Sequence, residues 1–172
     1  MKRRIRKGVF ETNSSSVHSL VFHAHAENER YNDAFADLKT LIDPDDNKIH
    51  ITPDEFGWSY YGPYKGVIQK LSYLATIITG KYYVFYDEDK QDIEEDIITD
   101  YDFERVDDIL KANLACNGWT IDPLDGYHKW GYIDHQSWPE NITTFLDWNN
   151  CGSIEEFLFD NNVELVIDND NH

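Results

Sequence analysis

The sequence predicts an α+β fold: a single layer of mainly antiparallel sheet with several helices packed on it, in one domain spanning residues 1–172. Two observations point there. Hydrophobic residues make up 41% and aromatics 15% of a 172-residue chain, enough to bury a core and too much for a disordered one. Short stretches of strand character are also interleaved with stretches of helical period, with no internal repeat and no linker.

Taken in order, Ile5–Phe10 and Val17–His25 have strand character and are expected to pair across the polar residues between them. Tyr31, Phe35, Leu38 and Ile42 follow the 3.6-residue period, so Asn28–Ile42 is expected to be a helix stopped by Pro44. Lys48–Thr52 is a short strand ending at Pro53. Val67, Leu71, Leu74 and Ile78 mark a second helix closed by Gly80, and KYYVFY (81–86) is expected to be a central strand. Residues 87–108 hold 12 acids against Lys90 and Arg105, yet Ile93, Ile97, Tyr101, Val106, Ile109 and Leu110 recur at roughly helical spacing. That pattern describes an acidic amphipathic helix or helix pair. GWTIDPLDGYHKWGYIDHQS (118–137) has the form of a hairpin turning at Asp125-Gly126. Short helices at Ile142–Trp148 and Ser153–Phe159 and a strand at Val163–Ile167 complete the fold, with a fraying end beyond.

The charge is lopsided. Net charge is −18, but five of the 15 bases (Lys2, Arg3, Arg4, Arg6, Lys7) precede Gly8, leaving ten bases against 33 acids in residues 8–172, a net −23. Such a body repels nucleic acid over most of its surface and attracts a protein partner with a basic surface; the same charge also serves plain solubility. RNA contact falls to the basic N-terminus. No apolar run approaches a bilayer span and the basic start lacks a following apolar stretch, so the expectation is a cytoplasmic protein with no membrane association. Cys116 and Cys151 match no metal spacing and fit reduced thiols.

Two polar clusters carry candidate chemistry. In FETNSSSVHSL, the side chains of Asn13, Ser14, Ser15 and Ser16 can bond their own backbone and expose N–H groups as an anion-binding nest, with Arg6 and Lys7 supplying charge to a bound phosphate. Glu11 beside His18 would orient the imidazole and raise its pKa. In YIDHQS, His135 and Ser137 share one face of a strand, and Asp134 and Gln136 the other. If the clusters meet, His18 and His135 divide base and acid work on a phosphodiester: one takes the proton of an RNA 2′-hydroxyl, the other protonates the leaving oxygen, with no cofactor. Glu11 and Asp134 holding magnesium is the metal-dependent alternative. A self-satisfied loop and an exposed hairpin edge are the structural alternatives for the two clusters. His23 and His25 share a strand face and can share a metal, but no third ligand is evident, and surface histidines are the simpler reading. Trp58, Tyr60, Tyr61 and Tyr64 suit base stacking, protein docking or core packing equally.

On RKGVFETNSSSVHSL and GYIDHQS, about a tenth of the chain, the sequence resembles small proteins carried by phages, plasmids and their bacterial hosts. In size and acidity it is similar to the anti-CRISPR inhibitors of type II effector nucleases, including those that shorten the guide RNA. The resemblance implies a counter-defence protein that docks on the effector nuclease and trims its RNA through Glu11, Asn13, Ser14, Ser15, Ser16, His18, Asp134, His135, Gln136 and Ser137. The alternative from a different class is a non-enzymatic inhibitor whose acidic segment mimics nucleic acid in a basic groove of a nuclease.

Overall fold

The computed structural model describes residues 16–22, 32–56, 62–64, 66–85, 97–124, 131–133 and 139–169. The fold is α+β, with strands β1 (Ser16–Phe22), β2 (Ile49–Ile51), β3 (Glu55–Phe56), β4 (Gly62–Tyr64), β5 (Trp119–Ile121), β6 (Tyr132–Ile133) and β7 (Val163–Asn169). The helices are α1 (Asn32–Lys39), α2 (Val67–Phe85), α3 (Tyr101–Asn113), α4 (Ile142–Asn149) and α5 (Ile154–Phe159). No helix among the described residues is long and apolar enough to cross a membrane.

The strands form three small sheets in place of the single layer expected. One is antiparallel, in the order β1-β7-β4; the others are the parallel pairs β2-β5 and β3-β6. The mainly antiparallel expectation therefore holds only for the first. The anticipated hairpin is not formed by the described residues: β5 and β6 are strands, but each pairs with an earlier partner, Ile49 opposite Trp119 and Glu55 opposite Tyr132, while the turn expected at Asp125-Gly126 lies outside the described residues. The reason is that β2 and β3 run past β5 and β6 as one extended stretch, and backbone hydrogen bonds continue between the ladders, Asp122 N–H to the Ile51 carbonyl (2.9 Å) and Tyr132 N–H to the Asp54 carbonyl (3.0 Å). Gly131 is required at this crossing, since it has φ +74° and a Cβ would press within 2.7 Å of the Asp54 carbonyl oxygen. Strand β1 pairs along its length with β7, Ser16 opposite Asn169 and Phe22 opposite Val163. Its anticipated partner, Ile5–Phe10, lies outside the described residues.

The largest departure is α2. The segment KYYVFY was expected to be a strand, yet the helix runs through Gly80 to Phe85. Residues 70–80 are all buried, so α2 has no polar stripe there and is wrapped on every side by β2, β6, α1, α3, α4 and α5. The helix continues through Gly80, which is buried in the same packed stretch and tolerated there at about 1 kcal/mol relative to Ala. Its polar side chains are used locally: Ser72 Oγ donates to the Thr52 carbonyl (2.7 Å), while Thr76 Oγ1 accepts from Asp54 N–H (3.0 Å) and donates to the Ser72 carbonyl (2.8 Å). These bonds fix the 52–54 connection between β2 and β3.

A single buried cluster runs from Leu20 through α2 to Ile167. Phe56, Tyr73, Phe145 and Phe157 make a chain of ring contacts at 4.9–5.2 Å across it. Tyr64, half-buried, packs edge-on against Phe56, 5.6 Å between centroids, at the margin of the core. The remaining members of that aromatic stretch, Trp58, Tyr60 and Tyr61, lie outside the described residues.

Lys70 is fully buried in this core. Its Nζ donates to the Asp160 carbonyl (3.0 Å) and stands 5.8 Å over the Phe157 ring, with Asp160, Glu164 and Cys151 nearby. Burial drives its pKa down to about 8 despite the attraction of those groups. The folded pKa is thus below the unfolded one, so over the window between them only the unfolded chain holds the proton, and stability rises with pH. Wild type should gain on the order of 2–3 kcal/mol over a Lys70→Met variant between about pH 8 and pH 10.5 in parallel denaturant titrations. A stability difference that stays flat across that window would refute the assignment.

Candidate functional site

The site anticipated from sequence is reached only at its margin. Ser16 and His18 lie on β1, at register positions opposite Asn169 and Ile167 of β7. Arg6, Lys7, Glu11, Asn13, Ser14 and Ser15 lie outside the described residues, as do Asp134, His135, Gln136 and Ser137 and the pair His23 and His25. The strands that lead to the two clusters are in different sheets: β1 belongs with β7 and β4, whereas β6, which ends one residue before Asp134, belongs with β3. Among the described residues no three His, Cys, Asp or Glu side chains converge as a metal ion would require.

What the described residues do assemble is an acidic face around α3, with a groove beside it. The helix begins at Asp100, whose carboxylate accepts from Asp102 N–H (2.8 Å), and Asp102 and Glu104 in its first turn suit the positive end of the helix dipole. Phe103, Val106 and Leu110 turn inward, while Tyr101, Glu104 and Asp108 are exposed. Asp102 is buried and ties α3 to α4: one carboxylate oxygen accepts from Ile142 N–H (2.9 Å), the other from Arg105 (3.4 Å). Arg105 also donates to Thr143 Oγ1 (2.9 Å) and lies 5.5 Å from the Tyr101 ring centroid. Farther along, Asp107 pairs with Lys111 and accepts from Trp119 N–H (3.0 Å), so α3 is fastened to β5 as well. Gly118, at φ +97°, makes that approach possible, because a Cβ would overlap the Asp107 carboxylate.

The groove, 410 Å³ in volume, lies between residues 97–98, α3 and β5. The Phe103 and Trp119 rings stack at 5.1 Å beneath it, with Ile97 and Ile121 beside them, all four buried. Ile98 forms an apolar lip that is 58% exposed. Lys48, Asn117 and Asp122 make up polar parts of the rim.

On the outer side of β2, His50 is held between two carboxylates, Nδ1 to Asp122 Oδ2 at 2.9 Å and Nε2 to Asp46 Oδ2 at 3.1 Å. The turn that carries Asp46 is itself locked: Asn47 is left-handed at φ +60°, and Asn117 donates through its backbone N–H to the Asn47 carbonyl (2.7 Å) and through Nδ2 to the Asp46 carbonyl (2.9 Å). The hydrogen bonds from Asp122 and then Asp46 raise the His50 pKa above its ordinary value, and bonds to Lys48 N–H and His50 lower that of Asp46. Both ring nitrogens face carboxylate oxygens, an arrangement that favours the imidazolium and leaves neither nitrogen directed at a substrate. The sequence reading missed this cluster. Asp46 and His50 stand four apart, a legible signal, but Asp122 enters from 72 residues away through the β2-β5 pairing.

Because the folded pKa of His50 is raised, its stabilisation is complete below the unfolded value of about 6.5 and is lost as pH rises through the folded value. Denaturant midpoints of wild type and His50→Gln measured between about pH 5.5 and pH 8.5 should converge as pH rises. The half-exposed ring keeps the effect to a few tenths of a kcal/mol. A gap that does not close with rising pH would contradict the ionised cross-link.

No family model, curated protein or solved structure matches the chain.

Proposed function

We propose that the protein is a binding module whose acidic, helix-borne face docks on a basic, nucleic-acid-handling surface of another protein. The partner that the sequence resemblance suggests is the guide-loaded effector nuclease of a type II CRISPR system. The observation that carries this reading is the mounting of α3: its apolar side is buried, hydrogen bonds fasten it to α4 and β5, and Glu104 and Asp108 are presented outward on a rigid element. The two bases on the helix are already engaged, Arg105 with Asp102 and Lys111 with Asp107, so the outward field is negative. A chain of net charge −18 adds long-range attraction to any basic groove.

RNA cleavage after docking is the second reading. It is supported by the way the serine run feeds directly into β1, whose seven residues pair with β7, a firm strand on which to hold a reacting group. In this reading His18, set by Glu11, and His135 exchange protons with the 2′-hydroxyl and the leaving oxygen, with Glu11 and Asp134 as the magnesium ligands of the metal-dependent route. Asn13, Ser14, Ser15, Ser16, Gln136 and Ser137, with Arg6 and Lys7, hold the phosphate.

For docking, capture of the guide-loaded nuclease should weaken steeply as salt rises from about 50 to 300 mM, and Glu104→Lys with Asp108→Lys should cost tenfold or more. Binding that ignores both salt and charge reversal would end the docking reading. For cleavage, labelled guide RNA should be shortened by wild type and about a hundredfold more slowly by His18→Ala or His135→Ala, with EDTA separating the metal-free from the magnesium route. Equal cutting by all three proteins, or none by wild type, removes the catalytic reading and leaves docking untouched.

A further inference from the structure

We propose that the groove beside α3 is the selective part of the docking face, receiving one apolar side chain from a cationic segment of the partner protein. This rests on the docking reading and names what that face recognises. The groove and the acidic helix are one continuous surface, since Asp107 and Lys111 on α3 line the groove while Glu104 and Asp108 stand exposed on the same helix. Its volume, 410 Å³, falls within the roughly 300–1,000 Å³ typical of ligand sites, and its floor is aromatic and aliphatic.

The exposed apolar surface points to the same place. Among the described residues three large hydrophobic side chains are exposed, Ile98, Tyr101 and Trp148; Ile98 lines the groove, whereas the Tyr101 ring stands beside Arg105. The groove thus offers one exposed aliphatic lip over a floor of buried rings, which a single apolar side chain can cover. Inside the rim, charge is nearly cancelled: Lys111 is paired with Asp107, and Lys48 stands opposite Asp122 in sign. The groove therefore discriminates by shape and apolarity, and the acids outside it discriminate by charge.

Electrostatics then decides the occupant. A nucleic acid brings its phosphates and the body of a second copy, residues 8–172, brings a net −23, so both are repelled; the basic run Lys2–Lys7 of a second copy is the one self-derived competitor, and self-association in the test below reads it out. A polypeptide segment rich in arginine or lysine and bearing an apolar residue satisfies both parts of the surface.

The test uses the full chain with two short arginine-rich peptides as probes, identical except for a central leucine or serine. Affinity is measured by titration, and the amide signals of Gly118, Trp119 and Thr120 are followed by NMR. The leucine peptide should bind roughly ten- to hundredfold more tightly, the worth of burying one such side chain, and should shift those three signals. In Ile98→Asp the preference should vanish while the serine peptide binds at least as tightly, since the substitution adds a negative charge to the face; Ile98 is exposed, so the fold is retained, and circular dichroism verifies it. Equal binding of both peptides that is lost in the Glu104→Lys, Asp108→Lys variant leaves electrostatic docking standing and overturns the groove. If neither peptide binds even at low salt, both readings are overturned. Concentration-dependent self-association abolished by Ile98→Asp would assign the groove to a second copy and likewise overturn the proposal.

Discussion

A helix buried on every side over residues 70–80 organises this molecule. Residues 70–80 of α2 are buried throughout, so each neighbouring element, β2, β6, α1, α3, α4 and α5, is placed by contact with it. Such a helix cannot be satisfied by apolar packing alone, because its polar side chains must find partners inside the protein. Ser72 and Thr76 find them in the backbone at 52–54, and Thr79 in the Ala75 carbonyl of its own helix. The first pair does more than satisfy hydroxyls: it holds the corner where β2 passes into β3, and thereby sets where both parallel ladders form. Lys70 is the most costly member of the set. An ammonium enclosed by Phe157 and the Asp160 carbonyl is retained against its own desolvation, with Asp160 and Glu164 lowering but not cancelling that cost.

The same constraint explains what sequence periodicity could and could not show. Helices with one wet side were legible: α1, α4 and α5 lie within or nearly match their expected spans, and the inward set of α3 includes Val106 and Leu110 as the spacing required. Tyr101 kept the period but not the burial, because it precedes the first full turn and its ring is taken up by Arg105. Where a segment is apolar all round, periodicity carries no information, and KYYVFY looked like a strand for that reason. Pairing was also hidden. Strand β5 was visible as a strand, but its parallel partner lies some 70 residues earlier in the chain, a pairing that no local turn signal announces.

The candidate site divides along the same line. The polar clusters around His18 and His135 were conspicuous because unusual residues sit side by side in the chain. The His50 clamp and the groove were not, since both are made by long-range pairing: β5 brings Asp122 to His50, and Trp119 beneath the groove lip. A lone lysine in the apolar run VIQKLSYLATII was a signal that could have marked Lys70, but nothing local indicates that Asp160 and Glu164 would surround it.

An acidic surface by itself binds basic partners indiscriminately, because screened charge attraction is long-ranged and tolerant of orientation. Selectivity requires that some of the contact be short-ranged and geometrically fixed. In this fold, fixity comes from Asp102 and Asp107, which spend their carboxylates inside the structure on Ile142 N–H and Trp119 N–H. Two acids of α3 are thus withdrawn from the outward field to hold the helix against α4 and β5, while Glu104 and Asp108 remain in it. In the proposed docking, such a mounting would reduce the ordering cost of association, because the outward charges would act from set positions and the groove beside them would meet a partner in one register. On that division of labour the exposed carboxylates would govern how quickly a basic partner arrives, and the groove how long it stays.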